Sequence, residues 1–127
     1  MMRPMKQKPV IPSVTLYGIP NCDTVKKARD WLTANGVAHA FHDFKKQGVP
    51  LPKIDQWIAA TGWEKLLNRR GPTWRKLDDA TQTSVVDAAS AVAVMVANSS
   101  VIKRPVVQWL GGQVTVGFDG EAWQRLI

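Results

Sequence analysis

A short strand pattern that passes directly into a long helical pattern constrains the fold of this chain most. The β-branched and aromatic run Val14–Tyr17 is broken at Gly18 and Pro20, and apolar residues then recur at helical spacing from residue 23 to residue 34. An Asn-Gly pair stops the helix, and residues 37–44 alternate as a second strand. A strand–helix–strand unit of this length favours a parallel strand pair with a right-handed crossover.

In the rest of the chain the spacing of apolar residues changes twice, first to a helical period and then back to that of strands. Residues 50–100 are predicted to be mainly helical, with pieces at 52–61, 63–67 and 78–98. Two apolar runs then flank the Gly111-Gly112 turn, which predicts a β-hairpin, and Asp119 begins a last short helix. The order of elements predicts an α/β fold: βαβ, a helical insertion of about residues 50–100, then ββα.

Size, charge and cysteine content limit the function classes. With 127 residues the chain is long enough for one domain, and we predict a flexible N-terminal tail over residues 1–12 and a single domain over residues 13–127. The net charge of +7 favours anionic partners such as nucleic acid, glutathione, oxyanions or acidic protein surfaces. One cysteine excludes an internal disulfide, and no run suits a signal peptide or a membrane span, so we expect a cytoplasmic protein without a membrane partner.

That cysteine, Cys22, lies where the first predicted strand passes into the first predicted helix. The unpaired N–H groups of the first helical turn and the positive end of the helix dipole favour the thiolate, which is the reactive form. Lys26, one turn further on, adds a positive charge, whereas the carboxylate of Asp23 acts in the opposite direction. We expect the helix and the basic residues to outweigh Asp23, so that Cys22 is a nucleophile.

Other candidate sites have ordinary structural interpretations. His39 and His42 fall on opposite faces of the second predicted strand, so we expect no metal site. The six tryptophans are scattered through predicted helices and strands, which is typical of core packing rather than base stacking. No nucleic-acid-binding motif is recognised, so we do not expect nucleic acid to be the partner despite the positive charge.

The order of elements, with a cysteine at the first strand-to-helix turn, resembles the thioredoxin fold. The closer resemblance is to the ArsC/Spx family, and within it to the YffB-like branch. The residues that carry it are the segment Tyr17–Arg29 (YGIPNCDTVKKAR), Asp43 with Phe44, Arg70 with Gly71, Thr73–Leu77 (TWRKL) and Ile102–Val106 (IKRPV). The resemblance implies a thioredoxin-like core with an inserted helical lobe.

The resemblance also implies a set of site residues. It makes Cys22 and Arg104 the expected catalytic pair, with a cis peptide before Pro105 and with Arg104 facing the sulfur. Arg69 or Arg70 is the candidate for a second arginine. The arsenate reductases of the family place a further arginine after the hairpin, where this chain reads GFDG without a basic residue. The residues expected to bind substrate or glutathione are Asn21, Asp23, Thr24, Lys26, Arg70 and Pro105.

The position three residues after Cys22 is Val25, so the Cys-x-x-Cys pair of dithiol enzymes and of the Spx redox switch is absent. The thiolate therefore needs a second thiol from outside the chain. The leading hypothesis is a glutathione-dependent monothiol reductase that binds no cofactor and uses glutathione as co-substrate. The alternatives are an arsenate reductase linked to glutathione or glutaredoxin, and an Spx-like, non-enzymatic partner of RNA polymerase.

Overall fold

A computed structural model of the protein describes residues 14–127, and the predicted tail, residues 1–12, lies outside the described residues. The described chain forms four strands, eight α-helices and one 3₁₀ turn. In chain order these are β1 Val14–Gly18, α1 Asp23–Ala34, β2 His39–Asp43, α2 Phe44–Gln47, α3 Leu51–Thr61, α4 Trp63–Leu66, α5 Pro72–Arg75, α6 Asp79–Thr83, α7 Ala88–Ala97, the 3₁₀ turn Ser99–Val101, β3 Val106–Gln108, β4 Val114–Val116 and α8 Gly120–Gln124.

The four strands form one mixed sheet in the order β2-β1-β3-β4. Strand β1 runs parallel to β2, with Val14 opposite His39, and antiparallel to β3, with Leu16 opposite Val107. Strands β3 and β4 form the antiparallel hairpin. The predicted α/β order is confirmed: βαβ, then a run of helices, then ββα.

The helical run begins earlier than the pattern indicates and includes one further helix. Phe44, expected at the end of the second strand, begins α2, because the buried Asp43 side chain accepts a hydrogen bond of 2.8 Å from the Lys45 backbone N–H and caps the helix. The basic segment after α4 was expected to be a loop, yet it contains α5, which has Pro72 in its first turn. Helices this short bury too few apolar residues to show a period.

Strand alternation divides the core into two clusters on opposite faces of the sheet. Leu16 and Val107 face α1 and α8, where they pack with Leu32 and Trp123. The neighbouring residues Tyr17 and Val106 face the inserted helices and belong to the cluster that contains Ile54, Trp57, Leu66 and Met95. Trp57 and Trp123 are fully buried, one on each face. Each face therefore has its own aromatic centre.

Backbone bonds join the end of α4 to the segment before β3. Leu67 pairs with Ile102 in an isolated antiparallel bridge. The Asn68 N–H donates to the Val101 carbonyl at 2.7 Å, and the Lys103 N–H donates to the Leu66 carbonyl at 2.8 Å. These bonds hold two distant stretches of the chain side by side next to the sheet.

The end of β1 approaches α1 closely at Gly18. A Cβ atom at this position would lie 2.8 Å from Cγ2 of Val25, which is fully buried. The absence of a side chain at Gly18 therefore allows the turn between β1 and α1 to pack tightly. Within residues 14–127, no helix has the length and apolar character needed to cross a bilayer.

Candidate functional site

Cys22 is the N-cap residue of α1, at the turn that follows β1. Its backbone is extended, with φ −145° and ψ 121°, and its carbonyl accepts the hydrogen bond of the Lys26 N–H at 2.9 Å. The side chain is partly exposed and free, so solvent and ligands can reach the sulfur. A side-chain oxygen at this position would normally accept a bond from the first helical turn. The thiol makes no regular capping bond of that kind, but a thiolate is a better acceptor.

The surroundings of Cys22 lower the pKa of its thiol. Partial burial has the largest single effect and raises the pKa. Against it act the Val25 N–H, the hydrogen bond and positive charge of Arg104, and the Thr24 N–H, which together outweigh burial. The direction agrees with the sequence prediction, and the main side-chain charge comes from Arg104. Lys26 is not among the groups that shift the pKa.

Arg104 is held in place by the chain that precedes it. Its Nη1 donates to the carbonyl of Ser100 at 2.7 Å and to the carbonyl of Ile102 at 3.3 Å. Its Nε is buried and has no hydrogen-bond partner among the described residues. The Arg104–Pro105 peptide is cis, as the resemblance implies. Two hydrogen bonds of Nη1 thus hold the guanidinium in place, and its hydrogen bond and positive charge act on the Cys22 sulfur.

Cys22 opens into a cavity of about 410 Å³. Four parts of the chain contribute to its wall: the start of α1, the loop after α4, the segment before β3, and the stretch from β4 to the start of α8. The lining residues are Cys22, Thr24, Asn68, Lys103, Arg104, Val116, Gly117, Phe118 and Asp119. The volume lies within the range typical of sites for small molecules.

The structure brings three of the predicted site residues together. Cys22, Thr24 and Arg104 all line the cavity, and Pro105 is buried directly after Arg104. Asn21 and Asp23 flank Cys22 in the chain, are exposed, and are not part of the cavity wall. Residues that are distant in the sequence therefore line one cavity around the Cys22 thiol.

The other predicted cations lie elsewhere. Lys26 lines a second cavity, also of about 410 Å³, together with Arg29 and His39. Arg69 and Arg70 are exposed and are not part of the wall of the Cys22 cavity, and the Arg69 guanidinium stacks on the Trp63 ring at 5.5 Å from its centroid.

Three polar residues of the wall are not among the site residues predicted from the sequence: Asn68, Lys103 and Asp119. Asn68, not one of the arginines that follow it, is the residue that the loop after α4 contributes. Lys103 comes immediately before the Arg104-Pro105 pair. The only local signal for Lys103 is its place within the IKRPV segment, and none marks Asn68.

The cavity wall carries two cations and one carboxylate. Lys103 and Arg104 supply the positive charge, and Asp119 supplies the negative charge. The Asp119 carboxylate accepts a bond of 3.2 Å from the Ala122 N–H and caps α8. Within residues 14–127, no group of three or more His, Cys, Asp or Glu side chains is arranged to hold a metal ion.

Comparisons with known proteins agree on one family. The ArsC family pattern matches residues 17–126. The solved structure of a protein named YFFB is 46% identical, with a TM-score of 0.83 over 89% of this chain and 97% of that one. The solution structure of an arsenate reductase (ArsC) related protein from Brucella melitensis is 45% identical, with a TM-score of 0.69 over 93% of this chain and 97% of that one.

A more distant relative is a regulator of transcription. The global transcriptional regulator Spx of Streptococcus pyogenes is 28% identical over 97 residues, which are 74% of this chain and 70% of the regulator. The fold is therefore the thioredoxin-like fold of ArsC-type proteins, as the order of elements and the Cys22 turn predicted.

Proposed function

This chain belongs to the ArsC family, and we propose that it is a thiol oxidoreductase in which Cys22 is the nucleophile and glutathione is the second thiol. The observation that supports the proposal most is the lowered pKa of an accessible thiol that lies in a cationic cavity. A structural cysteine is usually buried and inert, whereas a reactive one is partly exposed and in electropositive surroundings.

The proposed cycle has two thiol–disulfide exchanges. The Cys22 thiolate attacks the glutathione sulfur of a mixed disulfide; a Cys22–glutathione disulfide forms, the substrate disulfide breaks, and the substrate leaves as a thiolate that takes a proton from water. A second glutathione thiolate then attacks the glutathione sulfur bound to Cys22, which releases the Cys22 thiolate and oxidised glutathione. Two glutathione units end as one disulfide, and the substrate sulfur is reduced.

The residues around Cys22 have separable proposed roles. The Val25 and Thr24 N–H groups and Arg104 stabilise the Cys22 thiolate, both at the start of the cycle and when it is the leaving group of the second exchange. Since Cys22 is the only cysteine of the sequence, no thiol of the same chain can complete the cycle. Glutathione suits this role because its net charge at neutral pH is negative, which matches the cationic wall.

Arsenate reduction is the second candidate within the enzymes. It is favoured by the arsenate reductase-related neighbour and by the position of Arg104 beside the sulfur. Against it stands the wall that follows β4, where Gly117, Phe118 and Asp119 supply no cation and one carboxylate. An oxyanion with two negative charges needs more compensating charge than a glutathione carboxylate does, so thiol–disulfide exchange is the better match.

A regulatory role is the third candidate, favoured by the similarity to Spx. That role does not need an accessible thiolate. If the protein captured RNA polymerase subunits equally well with Cys22 and with a Cys22→Ser variant, and turned over no substrate, the regulatory role would replace the enzymatic one.

A side-by-side assay tests the proposal. Purified protein is given reduced glutathione together with either a glutathione mixed disulfide or arsenate, and mass spectrometry follows Cys22. We expect turnover of the mixed disulfide and a glutathione adduct on Cys22. Turnover of arsenate alone would mean that arsenate, and not a mixed disulfide, is the substrate. The absence of both turnover and adduct would reject the proposal that the protein is a thiol oxidoreductase.

A further inference from the structure

The Cys22 cavity contains a cation that the stabilisation of the thiolate does not use. Arg104 is committed to two backbone carbonyls through Nη1 and acts on the sulfur. Lys103 lines the same cavity and is exposed, and its ammonium is not among the groups that act on Cys22. The two adjacent cations therefore both line the cavity, but only Arg104 acts on the sulfur, which leaves the ammonium of Lys103 for a ligand.

The backbone fixes Lys103 at the wall of the cavity. Its N–H donates to the Leu66 carbonyl at 2.8 Å, Ile102 before it pairs with Leu67, and the Arg104 side chain after it donates to the Ile102 carbonyl. The same pairing places Asn68 on the wall, opposite the segment that carries Lys103. These backbone bonds set the position of the Lys103 Cα atom beside the cavity.

The side chain of Lys103 extends across Gly117. Its Cε lies 3.3 Å from the position that a Cβ of residue 117 would take, and Gly117 has a φ of +87°, which glycine adopts freely. The ammonium thus reaches the stretch after β4, where the chain itself has no basic residue. Gly117 leaves room for the aliphatic part of Lys103 to pass.

Asn68 lines the same volume and has a neutral side-chain amide. Its Oδ1 accepts the Arg70 N–H at 3.1 Å, and its Nδ2 lies 2.8 Å from the position that a Cβ of Gly71 would take, so Nδ2 is the amide atom that is able to donate to a ligand. The single carboxylate of the wall, Asp119, already accepts the Ala122 N–H at the start of α8. Lys103 and Asn68 thus bring an ammonium and a side-chain amide to the wall of one open volume, and these are groups that bind a carboxylate.

We propose that Lys103 and Asn68 form an anion subsite beside Cys22 that holds a carboxylate of the incoming thiol. Lys103 is then a specificity-determining residue that favours anionic over neutral thiols. The assignment of glutathione carboxylate as the occupant rests on the proposed function, whereas the subsite itself rests on the geometry of the wall. A pair of alkylating reagents tests the subsite separately from the identity of its occupant, because it measures the preference for negative charge at Cys22 without any turnover.

Iodoacetate and iodoacetamide both alkylate the same thiolate, but only iodoacetate carries a carboxylate. The ratio of their second-order rate constants therefore cancels the fraction of thiolate and reports the anion preference at the sulfur. We expect the ratio for the protein to exceed that for free glutathione and to fall about tenfold in Lys103→Met, since a hydrogen bond between charged groups is lost. Lys103→Arg keeps most of the ratio. Lys76→Met, at an exposed lysine after α5, leaves it within about twofold.

Turnover gives the second measurement. In Lys103→Met, kcat/KM for glutathione as the reducing thiol falls about tenfold, whereas kcat/KM for the neutral thiol 2-mercaptoethanol changes less than about twofold. A melting temperature equal to that of the unaltered protein shows that the variant is folded. Equal losses with both thiols would mean that Lys103 acts on the sulfur, and would overturn the inference.

The outcomes separate the two proposals. A ratio that does not change in Lys103→Met overturns the anion subsite, whether or not the protein turns over glutathione. A ratio that falls in Lys103→Met, in a protein without any glutathione-dependent turnover, supports the subsite and rejects the proposed function.

Discussion

Two cavities of equal volume, about 410 Å³ each, flank α1, and only one of them has the means for chemistry. The first contains Cys22, Lys103 and Arg104. The second contains Lys26, Arg29 and His39, and thus has at least as much potential positive charge. Volume and charge are therefore not what distinguishes them. The first cavity has a thiol at the start of a helix and a guanidinium held against that thiol by the backbone.

The position of Lys26 shows that a charge close to Cys22 in the sequence need not affect the pKa of its thiol. The rule that residues four apart share a face holds within a helix. Cys22 is the N-cap, and its extended backbone sets its side chain off the helical face that Lys26 occupies. The Lys26 side chain therefore lines the second cavity, and the cation that acts on the sulfur comes from Arg104, far along the chain.

Cys22 is the residue that distinguishes the first cavity from the second, and its replacement has the largest expected effect on turnover. Cys22→Ser loses all glutathione-dependent turnover, at least about a thousandfold, because the covalent step has no nucleophile. The melting temperature stays within about 2 °C, since the residue is partly exposed and serine is a good N-cap. Thr33→Ala, a polar truncation in the second cavity, is the control and keeps its turnover. Substantial activity in Cys22→Ser would end the proposed mechanism.

Removal of the cation beside the sulfur comes next. Arg104→Met raises the pKa of the Cys22 thiol, because a hydrogen bond and a positive charge that favour the thiolate are lost. The thiolate of this variant therefore forms only at higher pH. The pH midpoint of iodoacetamide alkylation moves upward, and turnover at neutral pH falls about tenfold or more.

The matched contrast to Arg104→Met is Lys26→Met, which removes one positive charge from the second cavity. We expect its alkylation midpoint to move much less. Equal shifts in the two variants would mean that long-range charge, rather than contact, controls the thiol. Arg104→Lys, which keeps the charge and loses the planar donor group, separates these two contributions.

Crowding at the turn before α1 tests both cavities at once. In Gly18→Ala the new Cβ meets Cγ2 of Val25, whose side chain is buried and whose N–H helps to lower the pKa of the thiol. We expect unfolding free energy to fall by about 1–3 kcal/mol, as for other overpacked sites. We expect the start of α1 to shift with the Val25 side chain, which weakens the bond from the Val25 N–H to the sulfur and raises the alkylation midpoint. Denaturant unfolding and alkylation measure the two effects, and an unchanged stability would show that the turn relaxes freely.

The second cavity supplies the smallest expected effect. The Arg29 guanidinium lies over the Phe41 ring, 4.4 Å from its centroid. Arg29→Met removes this cation–π contact, and unfolding free energy falls by about 0.5–1 kcal/mol at an exposed site such as this. Turnover and the alkylation ratio stay unchanged, because Arg29 lies outside the Cys22 cavity. A loss of turnover would assign a function to the second cavity.

The secondary structure that can be predicted is the part that depends on neighbours in the chain. Period and turn residues predict the strand at Val14–Tyr17, which extends to Gly18 in the structure, the helix at Asp23–Ala34 and the hairpin after Pro105, because each depends on local geometry. The short helices α2 and α5 were missed. The N-cap Asp43 of α2 and the first residue Pro72 of α5 are start signals in the sequence, but four residues are too few for a period.

The candidate site divides in the same way. Sequence alone determined that one thiol lies at the start of a helix, because the strand, the turn and the helical period surround Cys22 directly. Arg104 was expected only through the family resemblance. The choice of Asn68 over Arg69 and Arg70, the reach of Lys103 across Gly117 and the turning of Lys26 to another cavity were decided by the tertiary structure. The physical reason is that hydrogen bonds and packing between distant segments set where a side chain points, and no local period records them.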